Sequence, residues 1–155
     1  CVHPKLPALL RELKREGMPV KLDTNGTRPD TLELLLDEGL IDYVALDVKA
    51  LPERYERATG TVGLWPDVER SIRTLIESGT DHEFRTTCYP LAVGPDDPVR
   101  IASLLTGGRR YVLQQFRPQR TLDPAALSVR PHTAETLCRS AERCRSFLPT
   151  IVRGV

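Results

Sequence analysis

The sequence has no long apolar run, no excess of basic residues and no regular cysteine framework. No stretch approaches the roughly 18 apolar residues of a membrane span, and no signal-peptide pattern opens the chain, so a cytoplasmic protein is expected. Lys and Arg total 22 against 21 Asp and Glu, a net charge of +1. This balance argues against nucleic acid or a membrane surface as a partner. At 155 residues and 40% apolar, the chain suits one domain with a modest core.

The four cysteines, at positions 1, 88, 138 and 144, contain no C-x-x-C pair. Cys138 and Cys144 fall six residues apart on one predicted helix, about 240° around its axis, so neither a disulfide nor a shared metal is expected there. Cys144 also continues an apolar stripe of that helix. We therefore interpret all four as packing thiols in a reducing compartment. The histidines have no metal-ligand spacing and are interpreted as solvated or capping groups: His3, His82 and His132.

Helix-like and strand-like patterns alternate five times along the chain. Helical spacing of leucines begins at Leu6 and stops at Gly17, and Asp30 with Glu33 predicts a capping box at the start of the next helix. Thr133 is predicted to cap the last helix, and residues 150–153 to form the last strand. This alternation favours an α/β fold with parallel strands and right-handed crossovers, a barrel or part of one. Five strands are too few for a closed eight-stranded barrel.

Charged side chains share one face of three predicted strands. Because strand side chains alternate, the first strand presents Lys21, Asp23 and Asn25 together. By the same rule the second presents Asp47 with Lys49, and the third presents Glu83 with Arg85. The carboxyl ends of neighbouring parallel strands meet at one edge of a sheet, so these groups predict a binding site there.

Structural interpretations of the same residues stay open. Asp23 before Asn-Gly could simply fasten a turn. Asp47 and Lys49 could form a structural ion pair, and Arg85 could merely neutralise Glu83 or Asp47. The segment Thr59-Gly60 is interpreted as a loop rather than a ligand contact.

The ordered set of motifs resembles the radical S-adenosylmethionine (SAM) enzymes that activate glycyl-radical enzymes. Within that family the chain is most similar to the activating proteins of anaerobic ribonucleoside-triphosphate reductase. The similarity extends over essentially the whole chain in the family's order and spacing. Its motifs are Asp23-Thr24-Asn25-Gly26, Asp47-Val48-Lys49, Glu83-Phe84-Arg85-Thr86-Thr87 with Pro90, and the segment 111–118.

The resemblance implies a partial (β/α) barrel that holds SAM and a [4Fe-4S] cluster at its open end. It implies that SAM is cleaved reductively and that the resulting radical takes hydrogen from a glycine of the partner, here anaerobic ribonucleotide reductase, with a one-electron donor such as a flavodoxin. The position of Arg85 is expected to meet the methionyl carboxylate, which suits a planar guanidinium. The other residues implied to bind SAM are Asp23, Thr24, Asn25, Gly26, Asp47 and Lys49.

Two of the family's motifs are absent from the sequence. They are the cluster-binding C-x-x-x-C-x-x-C and a Gly-Gly-Glu segment. The chain begins at Cys1 rather than Met, so we interpret residues 1–155 as the carboxyl-terminal portion of one radical SAM barrel, with the first strands missing. Alone it is expected to bind no cluster and to be inactive.

Three other functions are compatible with the sequence. The first is a radical SAM enzyme for another glycyl-radical enzyme or for a small molecule, because substrate choice depends on loops. The second is a non-catalytic SAM-binding module. The third, an α/β barrel enzyme for a phosphorylated substrate, is disfavoured because no Gly-rich phosphate loop is present.

Overall fold

The computed structural model describes residues 3–121 and 124–155, with Arg120 described by its backbone alone. The interpretation of Cys1 as a packing thiol lies outside these residues. No helix within them is both long enough and apolar enough to span a bilayer.

Helices and strands of the described residues alternate as the periodicity predicts. The α-helices are α1 (Leu6–Arg15), α2 (Pro29–Asp37), α3 (Tyr55–Thr59), α4 (Trp65–Ser78), α5 (Asp97–Leu104) and α6 (Ala134–Cys144). The strands are β1 (Lys21–Thr24), β2 (Tyr43–Asp47), β3 (Asp81–Cys88), β4 (Tyr111–Gln115) and β5 (Thr150–Arg153). Short 3-10 turns cover Pro52–Arg54, Pro118–Arg120 and Pro124–Ser128.

The five strands form one parallel sheet in sequential order, from β1 to β5. Each strand is added to the same edge of the growing sheet, and crossovers between parallel strands are right-handed. The connecting helices therefore lie on the same face of the sheet. The predicted α/β fold with parallel strands is confirmed. We call the helix-covered face the outer face and the opposite one the inner face.

The hydrophobic core lies between the outer face and the helices. Strand residues that point outward are fully buried, among them Val44, Leu46, Phe84 and Leu113. The helices supply a matching set: Leu32, Leu35, Ile72, Leu75, Ile101 and Leu137. Complete burial of one such side chain stabilises the fold by about 1.5–3 kcal/mol. Because the outer face supplies this burial, the inner face can carry polar side chains.

The cysteines divide between this core and the surface. Cys88 and Cys144 are buried, and burial raises the pKa of Cys88 to about 12 and that of Cys144 to about 11. Cys138 is exposed, so the interpretation of it as a packing thiol is wrong. It is on the solvent side of α6, next to the buried Leu137.

Three local predictions have mixed outcomes. The predicted capping box is wrong: α2 begins at Pro29 without a side-chain cap, and Glu33 bonds Arg70 of α4 instead. The Thr133 cap is confirmed, because its Oγ1 accepts the Thr136 N–H at 3.2 Å. His82 is buried rather than solvated. It donates from Nδ1 to the Thr80 carbonyl and accepts the Arg109 N–H at Nε2, so it ties two loops together.

Candidate functional site

Charged side chains from β1, β2 and β3 meet on the inner face near the carboxyl ends of these strands. Arg85 donates from Nε to Asp47 at 2.8 Å and from Nη1 to Asp23 at 2.5 Å. Lys49 donates to the other oxygen of Asp47 at 2.8 Å, and Lys21 to the other oxygen of Asp23 at 2.5 Å. We call these five residues the ionic site. The predicted convergence of Asp23, Asp47 and Arg85 is therefore observed.

Strand register explains how the ionic site is assembled. Asp47 is directly opposite Arg85, whereas Asp23 is opposite Ala45 on the intervening strand. Arg85 must therefore cross β2, and two strand spacings amount to about 10 Å. Ala45 ends at its methyl group and is fully buried, which leaves room for the guanidinium to pass over it.

The charges of the ionic site stabilise one another. Burial acts to lower the pKa of Arg85, but the hydrogen bonds and charges of Asp47 and Asp23 outweigh it and raise that pKa. The pKa of Asp23 is held below its ordinary value, chiefly by the hydrogen bond from Lys21. Desolvation opposes this shift, and the hydrogen bond and charge of Arg85 add to it. Three cations against two carboxylates leave the site with one net positive charge.

The ion pairs that the structural interpretations expected for Arg85 and for Asp47 are observed in part. Arg85 forms ion pairs with Asp47 and also with Asp23, and Asp47 does pair with Lys49. Each aspartate takes one of the two Arg85 hydrogen bonds, so Arg85 bridges two strands and does not grip a single carboxylate with a bidentate fork. Its assignment to a ligand carboxylate stays a prediction.

The turn after β1 is fastened by Asn25 rather than by Asp23. Asn25 Oδ1 accepts from both the backbone N–H and the hydroxyl of Thr27, and Thr24 Oγ1 accepts the Gly26 N–H. Gly26 is buried with φ +74°, and its carbonyl accepts the Ser71 hydroxyl at 2.7 Å. These contacts fix the end of β1 beside the ionic site.

A cavity of about 280 Å³ adjoins the ionic site. Asn25 and Lys49 form part of its wall, and Tyr55 and Thr59 line the side made by α3. Thr59, interpreted from the sequence as part of a loop, ends α3 with its hydroxyl bonded to the Tyr55 carbonyl, and Gly60 follows with φ +68°. The wall offers an ammonium group and hydroxyls next to an aromatic ring.

A second charged cluster on the inner face escaped the sequence reasoning. Both Nη atoms of Arg153 donate to the Glu83 carboxylate at 3.2 Å, and the Tyr43 hydroxyl donates to it at 3.1 Å. Desolvation of Glu83 opposes ionisation, but Arg153, Tyr43 and Arg85 together lower its pKa. Side-chain alternation along β5 can place Arg153 on one face, but it does not reveal a partner 70 residues away.

Strand register places the two adjacent glutamines of β4 on opposite faces of the sheet. Gln114 is on the inner face, where the Thr87 hydroxyl donates to it at 3.5 Å, whereas Gln115 donates to the His132 carbonyl. Arg117 donates to the Gly154 carbonyl. In the described ranges no group of three or more His, Cys, Asp or Glu side chains is placed to hold a metal ion.

The ionic site is at the carboxyl ends of the strands, which is where open α/β sheets in general bind their ligands. The sequence model of the radical SAM superfamily matches residues 2–104, so the chain belongs to the radical SAM superfamily. It is 34% identical, over 119 residues, to a protein of Methanocaldococcus jannaschii named as a glycyl-radical enzyme activating enzyme. That match covers 74% of this chain and 50% of the relative, so the chain spans about half the length of the curated relative.

The fold is also that of a solved structure. A domain of pyruvate-formate lyase-activating enzyme from Bacteroides vulgatus superposes with a TM-score of 0.75 at 13% identity. The superposition covers 96% of this chain and 89% of that one. The predicted partial barrel of the radical SAM type is thereby confirmed.

Proposed function

We propose that residues 1–155 are the SAM-binding, carboxyl-terminal portion of an activase that generates a glycyl radical on anaerobic ribonucleotide reductase. The observation that carries the proposal is the bridge from Arg85 to both Asp23 and Asp47 at the strand ends. Membership of the radical SAM superfamily and the name of the archaeal relative support it.

The ionic site has the donors and acceptors that SAM requires. The methionyl end of SAM is a zwitterion, and the ribose carries two hydroxyls. Asp23 and Asp47 are acceptors for the ammonium group or the hydroxyls, while Lys49 and Arg85 are donors for the carboxylate. Arg85 exchanges one of its present aspartate partners for the methionyl carboxylate, and the net positive charge of the site favours that anion. Thr24, Asn25 and Gly26 hold the end of β1 against the ligand.

The described residues supply no ligand set for a [4Fe-4S] cluster. Cys88 and Cys144 are buried in the core and Cys138 is exposed on α6, so none of the three is at the inner face. A [4Fe-4S] cluster would therefore need ligands other than these three cysteines. In the complete activase the cluster would supply one electron for reductive cleavage of SAM, while Asp23, Asp47, Lys49 and Arg85 would hold and orient SAM.

The proposed partner comes from the sequence resemblance. The name of the archaeal relative refers to a glycyl-radical enzyme without saying which one. Anaerobic ribonucleotide reductase is proposed from the motif resemblance in the segments 83–90 and 111–118. A flavodoxin-like protein is the proposed one-electron donor.

The test starts with the full-length protein, reconstituted anaerobically with iron and sulfide and reduced with dithionite. We expect 5′-deoxyadenosine from SAM, and a glycyl radical signal in electron paramagnetic resonance when anaerobic ribonucleotide reductase is added. Absence of 5′-deoxyadenosine contradicts the enzymatic function. A radical that forms on pyruvate formate-lyase but not on the reductase contradicts only the proposed target.

The ionic site is tested by the affinity for SAM. Asp47→Asn and Arg85→Gln each remove a charged hydrogen-bonding partner, worth about 1.5–3 kcal/mol, so the dissociation constant should rise about 10- to 150-fold. The matched control is Arg143→Gln, which breaks the exposed ion pair with Asp96 between two outer helices. An unchanged affinity in both site variants contradicts the assignment.

A further inference from the structure

Two arginines of the inner face each cross one strand to reach a carboxylate. Arg85 extends from β3 over β2 to Asp23 of β1, and Arg153 extends from β5 over β4 to Glu83 of β3. The residue beneath each crossing is small or aliphatic and has no exposed surface: Ala45 in the first case and Val112 in the second. Alternate strands are thus cross-linked across the same face.

The two crossings meet at β3, where Glu83 and Arg85 are two residues apart on the same face. Such neighbours are separated by about 7 Å along a strand, within reach of a flexible arginine. The Glu83 side chain is only 5% exposed, so water screens its charge little. Apart from Arg153, its hydrogen-bonding partner is the neutral Tyr43 hydroxyl, and Arg85 adds a favourable charge interaction.

Glu83 is therefore the natural competitor of Asp23 and Asp47 for the guanidinium of Arg85. A buried carboxylate that loses its cation is costly, so re-pairing with another cation within reach is favourable. Arg85 is on the same strand and face as Glu83, and its charge already acts on that carboxylate. The other cation near this cluster is Arg110, which precedes β4 and whose charge acts on Tyr43. Lys21 is directed elsewhere, since its ammonium group bonds Asp23.

We propose that Arg153 is a positioning residue of the ionic site. By neutralising Glu83 from the last strand, it leaves Arg85 free to bridge Asp23 and Asp47. Arg153 itself touches neither aspartate, so it acts through Arg85. The consequence for SAM binding rests on the function proposed above, whereas the orientation of Arg85 does not depend on it.

The test compares Arg153→Gln with the double variant Glu83→Gln/Arg153→Gln in the reconstituted full-length protein. In the single variant Glu83 has lost its cation and competes with Asp23 and Asp47 for Arg85. The dissociation constant for SAM should therefore rise about tenfold. The double variant removes the competitor as well, and its affinity should return to within about twofold of the wild type. A purely structural role for Arg153 predicts instead that the double variant binds no better than the single one.

A second measurement is independent of SAM. The Nε–H signal of Arg85 in nuclear magnetic resonance, assigned by its loss in Arg85→Lys, reports the hydrogen bond to Asp47. It should shift in Arg153→Gln and return in the double variant, while Arg153→Lys and the control Arg143→Gln leave it in place. An Arg85 signal that is unchanged in Arg153→Gln overturns the proposal. Failure of the wild type to bind SAM, with the Arg85 signal behaving as expected, overturns only the proposed function.

Discussion

Replacing Gly26 with alanine tests how much the close packing around this glycine contributes to the stability of the fold. Gly26 has φ +74°, a left-handed conformation that costs a non-glycine residue roughly 1–2 kcal/mol. An added Cβ would also be 3.2 Å from Leu46 Cδ1 and 3.4 Å from Ser71 Cβ. Such contacts require small shifts in a packed core, and overpacking typically costs about 1–3 kcal/mol.

The expected total follows from these two contributions. Alanine also reduces the entropy of the unfolded chain, which offsets about 0.4–1 kcal/mol of the backbone cost. Because Leu46 Cδ1 is the end of a flexible side chain, the packing cost belongs at the lower end of its range. We expect Gly26→Ala to lower the free energy of unfolding by about 2 kcal/mol, which lowers Tm by about 4–8 °C in a domain of this size.

Gly17 provides a matched control. It has φ +72°, nearly the same as Gly26, but a Cβ added there meets nothing within 4 Å. Gly17→Ala should therefore show only the backbone contribution, about 1 kcal/mol or less. The assay is urea unfolding followed by circular dichroism, with both variants measured beside the wild type. If Gly26→Ala costs no more than Gly17→Ala, the packing of Gly26 against Leu46 and Ser71 is refuted as a source of stability.

Two further predictions concern ionisation. The pKa of Glu83 is lowered in the folded state, so its contribution to stability is present above its ordinary value of about 4.3 and is lost as the pH falls through the folded value. Urea unfolding at several acidic pH values should give a shallower fall in the free energy of unfolding for Glu83→Gln than for the wild type, and equal slopes would contradict this. At pH 8, Cys138 should be alkylated quickly while Cys88 and Cys144 stay unmodified, because burial raises the pKa of the latter two to about 12 and about 11. Peptide mapping by mass spectrometry distinguishes the sites, and rapid labelling of Cys88 in the folded protein would speak against the burial.

Local patterns predicted much of the fold because their physical causes are local. Leucine spacing and the Gly stops marked the helices, and alternation marked the strands. The capping-box prediction failed because Glu33 had a stronger partner in Arg70, on a helix that local sequence cannot place. His82 was misjudged for a similar reason, since the loops that bury it are brought together only by β3 and β4.

The sequence by itself determined that Asp23, Asp47 and Arg85 point to the same face near strand ends, because side-chain alternation requires no knowledge of neighbouring strands. Only the tertiary structure decided which charge meets which. Strand register sets Asp47 opposite Arg85 and sets Ala45 in the path to Asp23. It also brings Arg153 to Glu83 across β4. Pairings of this kind depend on strand order and register, which the backbone hydrogen bonds of the sheet and the burial of its outer face fix together, and which no pattern along the chain reveals.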